Sequence, residues 1–576
     1  MTGELRPRSP SGRHRETGGT VKLRNLAIGI AAAAVIVAAG AYIAIKSNPL
    51  LVVRVIATLR DFRLMPNQPV VWQQGPATAE VAASERKPNV IVILADDLGF
   101  NDLTFNGGGV AGGAVPTPYI DSIAHDGVVL SQGYAGNATC APSRAAIMTG
   151  RYATRFGYEF TPAHPAFEKL VGTFRSPGQP RAPIYHAELE KDVPPIDRIG
   201  LPSSEITVAK LLQGQGYHTT MLGKWHLGET PGKTPNDVGF DEWLGFLIGA
   251  QKYIRDGDPS VVNSKQDFDP IDIFLWTALP FSVTYNNGPS FRPSHYMTDY
   301  LGDEAVRVID ANRNRPFFMY LSFNAPHTPL QALKSDYDAL PQIKDHRLRV
   351  YAAMIRSLDR NVGKVLEALK ANGLDENTLV IFTSDNGGAH YIGLPDINKP
   401  YRGWKATFFE GGIHVPYFIK WPARLPRGAR YEQPAAHVDI FSTVAAAAGA
   451  ATPTDRVLDG VDLLPFIEGK TEGRPHKTLF WRSGDYKVLL DGDWKLQVSA
   501  RPDKMWLFDL KSDPTEQANL AESQPEKVAE LKKILDGIDS EQAKPIWPAL
   551  LEGPIAIDHP LGVPAKPDDE YIYWAN

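Results

Sequence analysis

From Pro88 onward, short apolar segments alternate with longer segments of helical periodicity, and this alternation is the strongest constraint on the fold. The apolar segments, each the length of a buried strand, are 90–94, 219–222, 317–323, 379–383 and 417–419. The segments with helical periodicity are 118–124, 142–148, 206–212, 296–312, 348–371 and 438–448. Near-continuous apolar strands separated by helices are typical of a parallel sheet covered on both faces. We therefore predict an α/β fold with a large, mostly parallel sheet sandwiched between helices.

The chain beyond residue 475 has a different pattern. Its short apolar runs predict strands at 478–481, 486–490, 494–498 and 505–509, and a helix over 526–538 follows them. This order predicts a smaller C-terminal antiparallel sheet with a packed helix. The chain is thus divided into a main domain, 88–474, a C-terminal subdomain, 475–543, and a tail, 544–576. The tail is rich in proline and aromatic residues and is expected to wrap the surface.

The first 87 residues predict export. Residues 1–25 are basic, and residues 26–45 form an uncharged apolar run that as a helix could cross a bilayer core of about 30 Å. The basic flank predicts that the chain after this run lies outside the cytoplasm, in the periplasm or on its equivalent face. We predict a single transmembrane anchor, with a cleaved signal peptide as the alternative because Ala39-Gly40-Ala41 resembles a cleavage site. Residues 46–87 are predicted to be a juxtamembrane linker.

Composition excludes two kinds of function. The formal net charge is -5, so the chain has no overall basic surface that would suit nucleic acid. Its single cysteine, Cys140, excludes an intramolecular disulfide framework and a metal site built from several thiolates. A lone cysteine is most often a small buried apolar residue, so its sequence neighbours must decide its role.

Two oxygen-rich turns follow predicted strands. Asp96 and Asp97 end one strand, and Asp385 and Asn386 follow another. Taken alone, each pair is most simply a solvated turn or a helix cap. Together, three carboxylates and an amide oxygen form a hard ligand set that suits Ca²⁺, with Mg²⁺ as the alternative, and that suits zinc poorly.

Other polar residues also lie at the ends of predicted strands. Lys224 to His226 follow one strand, and His327 follows another. In open α/β sheets, ligands bind beyond the carboxyl ends of the strands. We therefore predict one shared site that contains these residues and the two oxygen-rich turns.

The string Cys140-Ala141-Pro142-Ser143-Arg144 is the most informative motif. Pro142 suits the first turn of a helix, so Cys140 is predicted near a helix N-terminus, where free N–H groups favour negative charge. Arg144 lies one turn further along and can face the same site. With Met148-Thr149-Gly150-Arg151, the string resembles the signature of the type I, formylglycine-dependent sulfatases, arylsulfatase-like members of the alkaline phosphatase superfamily.

Further blocks carry the same resemblance. The segment 216–228 is similar to the second sulfatase signature, and 324–327 and 403–412 are similar to other blocks of the family. The resemblance covers roughly residues 88–540 in the family's order, and it implies that the main domain, 88–474, is catalytic. The five blocks together are far more specific than the cysteine motif alone.

The resemblance implies a modified cysteine and a metal ion. Cys140 would be oxidised to formylglycine (3-oxoalanine) by a formylglycine-generating enzyme. The metal, Ca²⁺ or alternatively Mg²⁺, would be held by Asp96, Asp97, modified Cys140, Asp385 and Asn386.

The resemblance also implies roles for the basic residues. Arg144 would anchor the formylglycine, and Lys224 and Lys405 would bind sulfate oxygens. His226 and His327 would assist turnover of the nucleophile and protonation of the leaving group, with His327 as the expected general acid. The expected reaction is hydrolysis of a small-molecule or glycan sulfate ester to inorganic sulfate and an alcohol or phenol.

Three other functions are alternatives. Phosphonate monoester and phosphodiester hydrolases of the superfamily carry Asp-His where this chain has Asp385-Asn386. A phosphoethanolamine transferase would need a threonine nucleophile, zinc and several transmembrane helices. A non-catalytic anion-binding protein would result if Cys140 were not matured. The chain departs from the family at one position. Arylsulfatases of this type often have a serine after the second signature that contacts the sulfate, and no equivalent serine is assigned in the segment 249–253.

Two long insertions, 158–204 and 252–295, are candidates for the walls of a substrate pocket. The second contains the apolar residues 273–276, Leu279 and Phe281. They are interpreted either as ordinary core or as a hydrophobic lid that favours aryl, alkyl or steroid sulfates over glycans.

Overall fold

The computed structural model describes residues 2–3, 49–82, 85–176 and 178–576. The predicted anchor or signal segment, 26–45, and nearly all of the basic segment 1–25 lie outside the described residues. Within the described part of the chain, no helix combines the length and apolarity that a membrane span requires. Two units are distinguished, residues 1–59 and residues 60–576.

The helices of the described ranges are numbered here in chain order. They are α1 (Pro49–Arg63), α2 (Pro118–His125), α3 (Cys140–Thr149), α4 (Pro165–Thr173), α5 (Val208–Gln213), α6 (Pro270–Ala278), α7 (Met297–Asn312), α8 (Lys334–Asp338), α9 (His346–Ala371), α10 (Glu410–Ile413), α11 (Asp439–Ala448), α12 (Leu464–Ile467) and α13 (Pro525–Ser540). Short 3-10 turns, such as Phe100–Asp102, connect several of them.

The strands are numbered in the same way. They are β1 (Asn89–Asp96), β2 (Val128–Tyr134), β3 (Ile184–Tyr185), β4 (His218–Lys224), β5 (Glu242–Phe246), β6 (Val261–Ser264), β7 (Thr284–Tyr285), β8 (Phe317–Pro326), β9 (Leu330–Leu333), β10 (Thr378–Ser384), β11 (Tyr417–Lys420), β12 (Ala429–Ala436), β13 (Thr478–Ser483), β14 (Tyr486–Asp491), β15 (Trp494–Ala500), β16 (Asp503–Asp509), β17 (Leu551–Ala556) and β18 (Tyr571–Ala575).

The main sheet has nine strands in the order β12-β2-β11-β10-β1-β8-β4-β5-β7. Its neighbours pair in parallel except at the antiparallel pairs β10–β11, β11–β2 and β5–β7. The sheet is therefore mixed but mostly parallel. The predicted α/β fold with a large sheet between helices is confirmed.

Alternate residues of the central strand β1 enter two different apolar layers. Ile91 and Ile93 pack in one layer with residues of α2, α7 and α9. Val90 and Val92 pack in the opposite layer with residues of α3, α5 and α11. Because side chains of a strand alternate between faces, a strand that is apolar at every position requires helices on both sides of the sheet.

The C-terminal region contains two further sheets. Strands β13 to β16 form an antiparallel sheet in sequence order, and Leu531 and Leu535 of α13 pack on Leu489 and Leu496. This is the predicted small antiparallel sheet with its helix. Strands β17 and β18, which lie in the tail 544–576, form a separate sheet with β3 of the first insertion.

The segment predicted as a linker contributes to the core after residue 69. Val70 and Trp72 are buried, and the Trp72 indole N–H donates to Glu304 of α7 at 2.7 Å. The sequence around them is polar and lacks periodicity, so burial of single residues in an extended segment was not predictable from pattern.

Asp102 is a buried carboxyl group a few residues beyond the carboxyl end of β1. Its Oδ2 accepts hydrogen bonds from the Gly99 backbone N–H at 2.7 Å and from the Tyr351 hydroxyl at 2.6 Å. Its Oδ1 is buried without a partner. Burial raises the pKa of Asp102 to about 8 despite these two hydrogen bonds, so the folded protein holds this group protonated at neutral pH.

We expect Asp102→Asn to stabilise the protein increasingly as the pH rises. The unfolded chain releases this proton above about pH 4, whereas the folded chain keeps it to about pH 8. The wild type therefore loses stability through this window, and the isosteric amide does not. Chemical denaturation at about pH 5 and pH 8 measures the difference, with the exposed Asp485→Asn as the control. A gain that is equal at both pH values would contradict a protonated Asp102.

Candidate active site

Four adjacent strands deliver polar residues to one edge of the main sheet. The strands β10, β1, β8 and β4 are neighbours in this order. Strand β1 pairs in parallel with both β10 and β8, and β8 pairs in parallel with β4. Their carboxyl ends therefore meet, as predicted for one shared site. Asp96 ends β1, Asp385 and Asn386 follow β10, His327 follows β8, and Lys224 ends β4.

Two lysines pair with the two adjacent aspartates. Lys224 Nζ lies 2.9 Å from both carboxylate oxygens of Asp96. Lys405 Nζ lies 2.8 Å from Oδ1 and 2.9 Å from Oδ2 of Asp97. The Tyr391 hydroxyl donates to Asp97 Oδ2 at 2.9 Å and lies 3.1 Å from Lys405 Nζ. All five side chains are buried, so these charges interact in a low-dielectric setting.

Arg144 connects three of these strands. Its Nε and one terminal nitrogen donate to Asp385 Oδ2 at 3.0 and 2.7 Å. The other terminal nitrogen donates to Ser322 Oγ at 2.5 Å and to the Lys224 carbonyl at 3.2 Å. The guanidinium is fully buried. Asp385, which also accepts from the Asp97 backbone N–H at 3.1 Å, thereby fixes α3 against the sheet.

Cys140 is the first residue of α3 and is buried. Its Sγ lies in a group with oxygens of Asp96 and Asp97 and a ring nitrogen of His327, all within 4.8 Å of one another. Burial raises the pKa of the Cys140 thiol to about 11, although Lys224 and Lys405 oppose the shift. An unmodified thiol here is therefore protonated and a weak nucleophile.

The two predicted catalytic histidines are both buried. His327 Nε2 is 3.6 Å from Asp97 Oδ2, and its Nδ1 is 2.6 Å from the Thr328 carbonyl oxygen. His226 has a left-handed backbone, with φ 62°, and its Nδ1 is buried without a partner. Burial, reinforced by Lys224 and Arg144, lowers the pKa of His226 well below its usual value. Burial likewise lowers the pKa of His327, to about 3.

Glycine is required beside His226. A side chain on Gly249 would place its Cβ 2.7 Å from two atoms of the imidazole ring. The segment 249–253, where no sulfate-contacting serine is found, instead holds buried Gln251, whose Oε1 has no partner. Two residues on, the Tyr253 hydroxyl donates to the carbonyl oxygens of Asn324 and His327 at 2.5 and 2.8 Å.

The oxygen-rich turns fit a divalent cation. Asn386 donates through Nδ2 to Asp97 Oδ1 at 2.8 Å, while its Oδ1 is buried and unpartnered, as expected of a ligand oxygen. Burial together with Asp385 raises the pKa of Asp96 to about 7 despite Lys224, and a cation would relieve this cost. Three carboxylates here face three cationic side chains. With all three carboxylates ionised, the site is neutral before a cation binds and positive afterwards.

Some residues of the site were not predicted from the sequence. Tyr391 and Ser322 carry no motif and reach the site only through tertiary contacts. The same holds for Asp272 of α6, which accepts from the Thr328 hydroxyl at 2.5 Å and so holds the residue that follows His327. No local signal in the sequence marks any of these contacts.

The apolar segment that was interpreted as a lid or as core forms helix α6 and its C-terminal extension. Leu275 and Leu279 pack with Ala250, close to Gly249. Phe281 is buried in the main core. These three residues fit the core interpretation, whereas Ile273 and Trp276 are only half-buried.

Comparisons with known proteins agree with this geometry. The sequence model of the Sulfatase family matches residues 88–450, and that of the N-sulphoglucosamine sulphohydrolase C-terminal region matches residues 402–541. Steryl-sulfatase of Mus musculus is 31% identical over 586 residues, covering 86% of this chain and 86% of that protein. N-acetylgalactosamine-6-sulfatase of Mus musculus is 32% identical over 425 residues, covering 72% and 73%.

A solved structure shows the same similarity in three dimensions. Ps i-CgsB in complex with k-i-k-neocarrahexaose matches with a TM-score of 0.66 and 32% identity, covering 80% of this chain and 95% of that chain. The family match extends over more than half of the sequence, and the aligned relatives are covered for most of their length. The chain therefore belongs to the sulfatase family and is a hydrolase of sulfate esters.

Proposed function

We propose that this sulfatase acts through formylglycine made from Cys140 and through a bound Ca²⁺. The observation that carries the proposal is the position of Cys140, at the N-terminus of α3 and within 4.8 Å of the ligand atoms of Asp96 and Asp97. Hydrated formylglycine supplies a hydroxyl nucleophile at this position, which a protonated thiol does not. A bound Ca²⁺ would supply positive charge that stabilises the transferring sulfuryl group. The metal would be held by Asp96, Asp97, Asp385, Asn386 and residue 140.

The cationic residues then bind the substrate anion. Lys224 keeps one N–H free in addition to its contacts with Asp96, and the third N–H of Lys405 faces the Tyr391 hydroxyl at 3.1 Å in the resting protein. We assign these two N–H groups to the sulfuryl oxygens. Arg144 has its donors on Asp385, Ser322 and a backbone carbonyl. It therefore anchors the nucleophilic residue and the metal-binding turn, as the resemblance implies.

We assign proton transfer to the two histidines. His327 is our choice for the acid that protonates the leaving oxygen, because the contact of its Nδ1 with the Thr328 carbonyl orients Nε2 toward Asp97 and the centre of the site. Burial lowers the pKa of His327 to about 3 in the free site, so this role requires that the bound substrate raise that pKa. His226 lies two residues beyond the end of β4 and is assigned to the removal of a proton from residue 140. These roles rest on position within the site.

The natural substrate is proposed only as a class. The site suits a sulfate monoester of an alcohol or phenol, and a simple aryl sulfate is the appropriate first substrate. The named activities of the relatives concern steryl and N-acetylgalactosamine 6-sulfates. Since Leu275, Leu279 and Phe281 are used in packing, the apolar segment gives little support for a steroid-specific lid.

Removal of the metal tests the calcium part of the proposal. We expect chelation to lower aryl sulfate hydrolysis at least about tenfold and to lower the melting temperature, because the buried carboxylates lose their cation. Added Ca²⁺ should restore both. A matched titration with Mg²⁺ shows which ion the site prefers. A metal-free protein with full activity and unchanged melting temperature would contradict the proposal.

Maturation and location complete the proposal. The motif Cys140 to Arg144 would be the recognition sequence of a formylglycine-generating enzyme. Residues 26–45 would export the chain and anchor it in the membrane. The support for anchoring is the sequence of residues 1–45 alone, and fractionation of cells that express the full chain tests it.

A further inference from the structure

Asn324 is an unexplained polar residue inside the fold. It is 1% exposed, and both its amide nitrogen and its amide oxygen are buried without a hydrogen-bond partner. Within the described ranges, no other residue has two such atoms. A buried amide with no partner costs free energy in the resting protein, so it requires an explanation.

The side chain of Asn324 faces the same side of the sheet as Arg144. Along β8, residues Phe317, Met319, Leu321, Phe323 and Ala325 all belong to the layer of α7 and α9. The alternate residues Phe318 and Tyr320 belong to the layer of α3. Ser322 continues that second series, since its hydroxyl accepts from Arg144. Asn324 is next in the series and therefore lies on the α3 side.

Asn324 lies near the carboxyl end of β8, beside the site residues. Ser322 lies opposite Leu94 and Pro326 lies opposite Asp96, with an irregularity in the register between them, so Asn324 lies between these two levels. The Tyr253 hydroxyl donates to the backbone carbonyls of both Asn324 and His327, and this shared contact places Asn324 next to the proposed acid.

The surroundings of this position already contain the other proposed sulfate-binding groups. Ser322 is paired with Gly223 of β4, and Lys224 is the residue that follows. On the other side, Asp96 is paired with Pro326. Asn324 thus lies between the lysine and the metal-binding aspartate, on the face that carries the nucleophilic residue.

We infer that Asn324 is a substrate-contacting residue whose Nδ2 donates a hydrogen bond to a sulfuryl oxygen. The inference rests on the proposed function and deepens it. A sulfate ester has no proton on its terminal oxygens, so it can satisfy only donors. The amide adds a neutral donor to the charged ones and suits a monoanion without raising the positive charge of the pocket. The unpartnered Nδ2 of the resting protein is thereby explained as a prepared contact.

The test uses the full chain and inorganic sulfate as the probe. Asn324→Leu removes both amide atoms at similar volume, so we expect a higher melting temperature without sulfate. The sulfate concentration needed to stabilise this variant should rise at least about tenfold, and kcat/KM for aryl sulfate should fall about tenfold to a hundredfold. Asn324→Asp keeps the shape but replaces the donor with an anion, and it should weaken sulfate binding further.

Thr220→Val is the matched control, because Thr220 of the neighbouring strand β4 also has a buried, unpartnered hydroxyl. It should raise the melting temperature without altering the effect of sulfate. Sulfate binding is also measured in the Cys140→Ala background, so that differences in the maturation of Cys140 do not affect the comparison of sulfate affinities. If sulfate stabilises the parent protein and both Asn324 variants equally, this inference is overturned and the proposed function stands. If the parent protein neither binds sulfate nor hydrolyses aryl sulfate, both are overturned.

Discussion

Cys140→Ala is expected to lower aryl sulfate turnover by at least about 10⁴-fold, because alanine cannot supply the nucleophilic oxygen. The fold should be unaffected, since Cys140 lies at the first turn of α3 and the substitution removes one buried sulfur atom. Initial rates on a chromogenic aryl sulfate, with thermal denaturation of both proteins, measure the two effects. Mass spectrometry of the wild-type peptide that contains residue 140 should show the aldehyde.

The controls separate loss of chemistry from loss of structure. The alanine variant should still bind Ca²⁺ and sulfate, because Asp96, Asp97, Asn386 and the lysines are unchanged. An unmodified cysteine in a host that matures other sulfatases, with activity equal to that of the alanine variant, would refute the formylglycine mechanism. Efficient cleavage of a phosphonate or phosphodiester without any sulfate ester turnover would move the chain to the phosphorus branch of the superfamily.

The fold was predictable where the sequence pattern is extreme. Strands β1, β8 and β10 are apolar at nearly every position because helices cover both faces, and this pattern has no other simple explanation. Strands β2, β5 and β12 were not predicted. The sequence of β2 contains Ser131 and Gln132, and β12, at one edge, alternates polar residues and contains Pro434. An edge strand needs less apolar surface and tolerates proline, so its pattern resembles that of a loop.

The candidate site was predictable to the extent that its residues lie in local motifs. The metal-binding turns, the Cys140 motif and Lys224 follow predicted strands or begin a predicted helix, and Lys405 lies in the block 403–412 that resembles the family. Tyr391, Ser322 and Asp272 join them through contacts between segments that are far apart in the sequence. Such contacts depend on register and loop path, which the pattern of a single sequence does not specify.

A buried ionic group joins the C-terminal antiparallel sheet to the segment that follows Lys405. Lys495 of β15 is fully buried, and its Nζ lies 2.7 Å from Glu410 Oε1 and 2.9 Å from Glu516 Oε1. Glu516 Oε2 accepts from the Glu410 backbone N–H at 2.6 Å. Glu410 begins α10, five residues after Lys405. The group therefore holds the end of the loop that carries a proposed sulfate-binding lysine.

We expect Lys495→Met to lower the free energy of unfolding by about 3–5 kcal/mol, because it leaves buried carboxylates without their cation. Burial acts to raise the pKa of Glu410, but Lys495 and His414 together hold that pKa at about 2. Glu410 is therefore the carboxylate whose charged form depends most on Lys495. The control is Lys487→Met on the neighbouring strand β14. Its ion pair with Asp539 is partly exposed, and its removal should cost about 0–1 kcal/mol. Chemical denaturation with a single cooperative transition measures both.

The double variant Lys495→Met with Glu410→Gln shows why Lys495→Met lowers the free energy of unfolding. If the cost comes from an uncompensated buried charge, neutralising Glu410 should recover a large part of the stability. If it comes from packing alone, the double variant should be no more stable than the single one. Activity supplies a second readout, since release of α10 should raise KM for aryl sulfate through Lys405, while Lys487→Met should leave KM unchanged. A Lys495→Met protein with wild-type stability would show that the carboxylates are solvated or protonated at little cost, and the proposed link between the C-terminal sheet and the segment after Lys405 would fail.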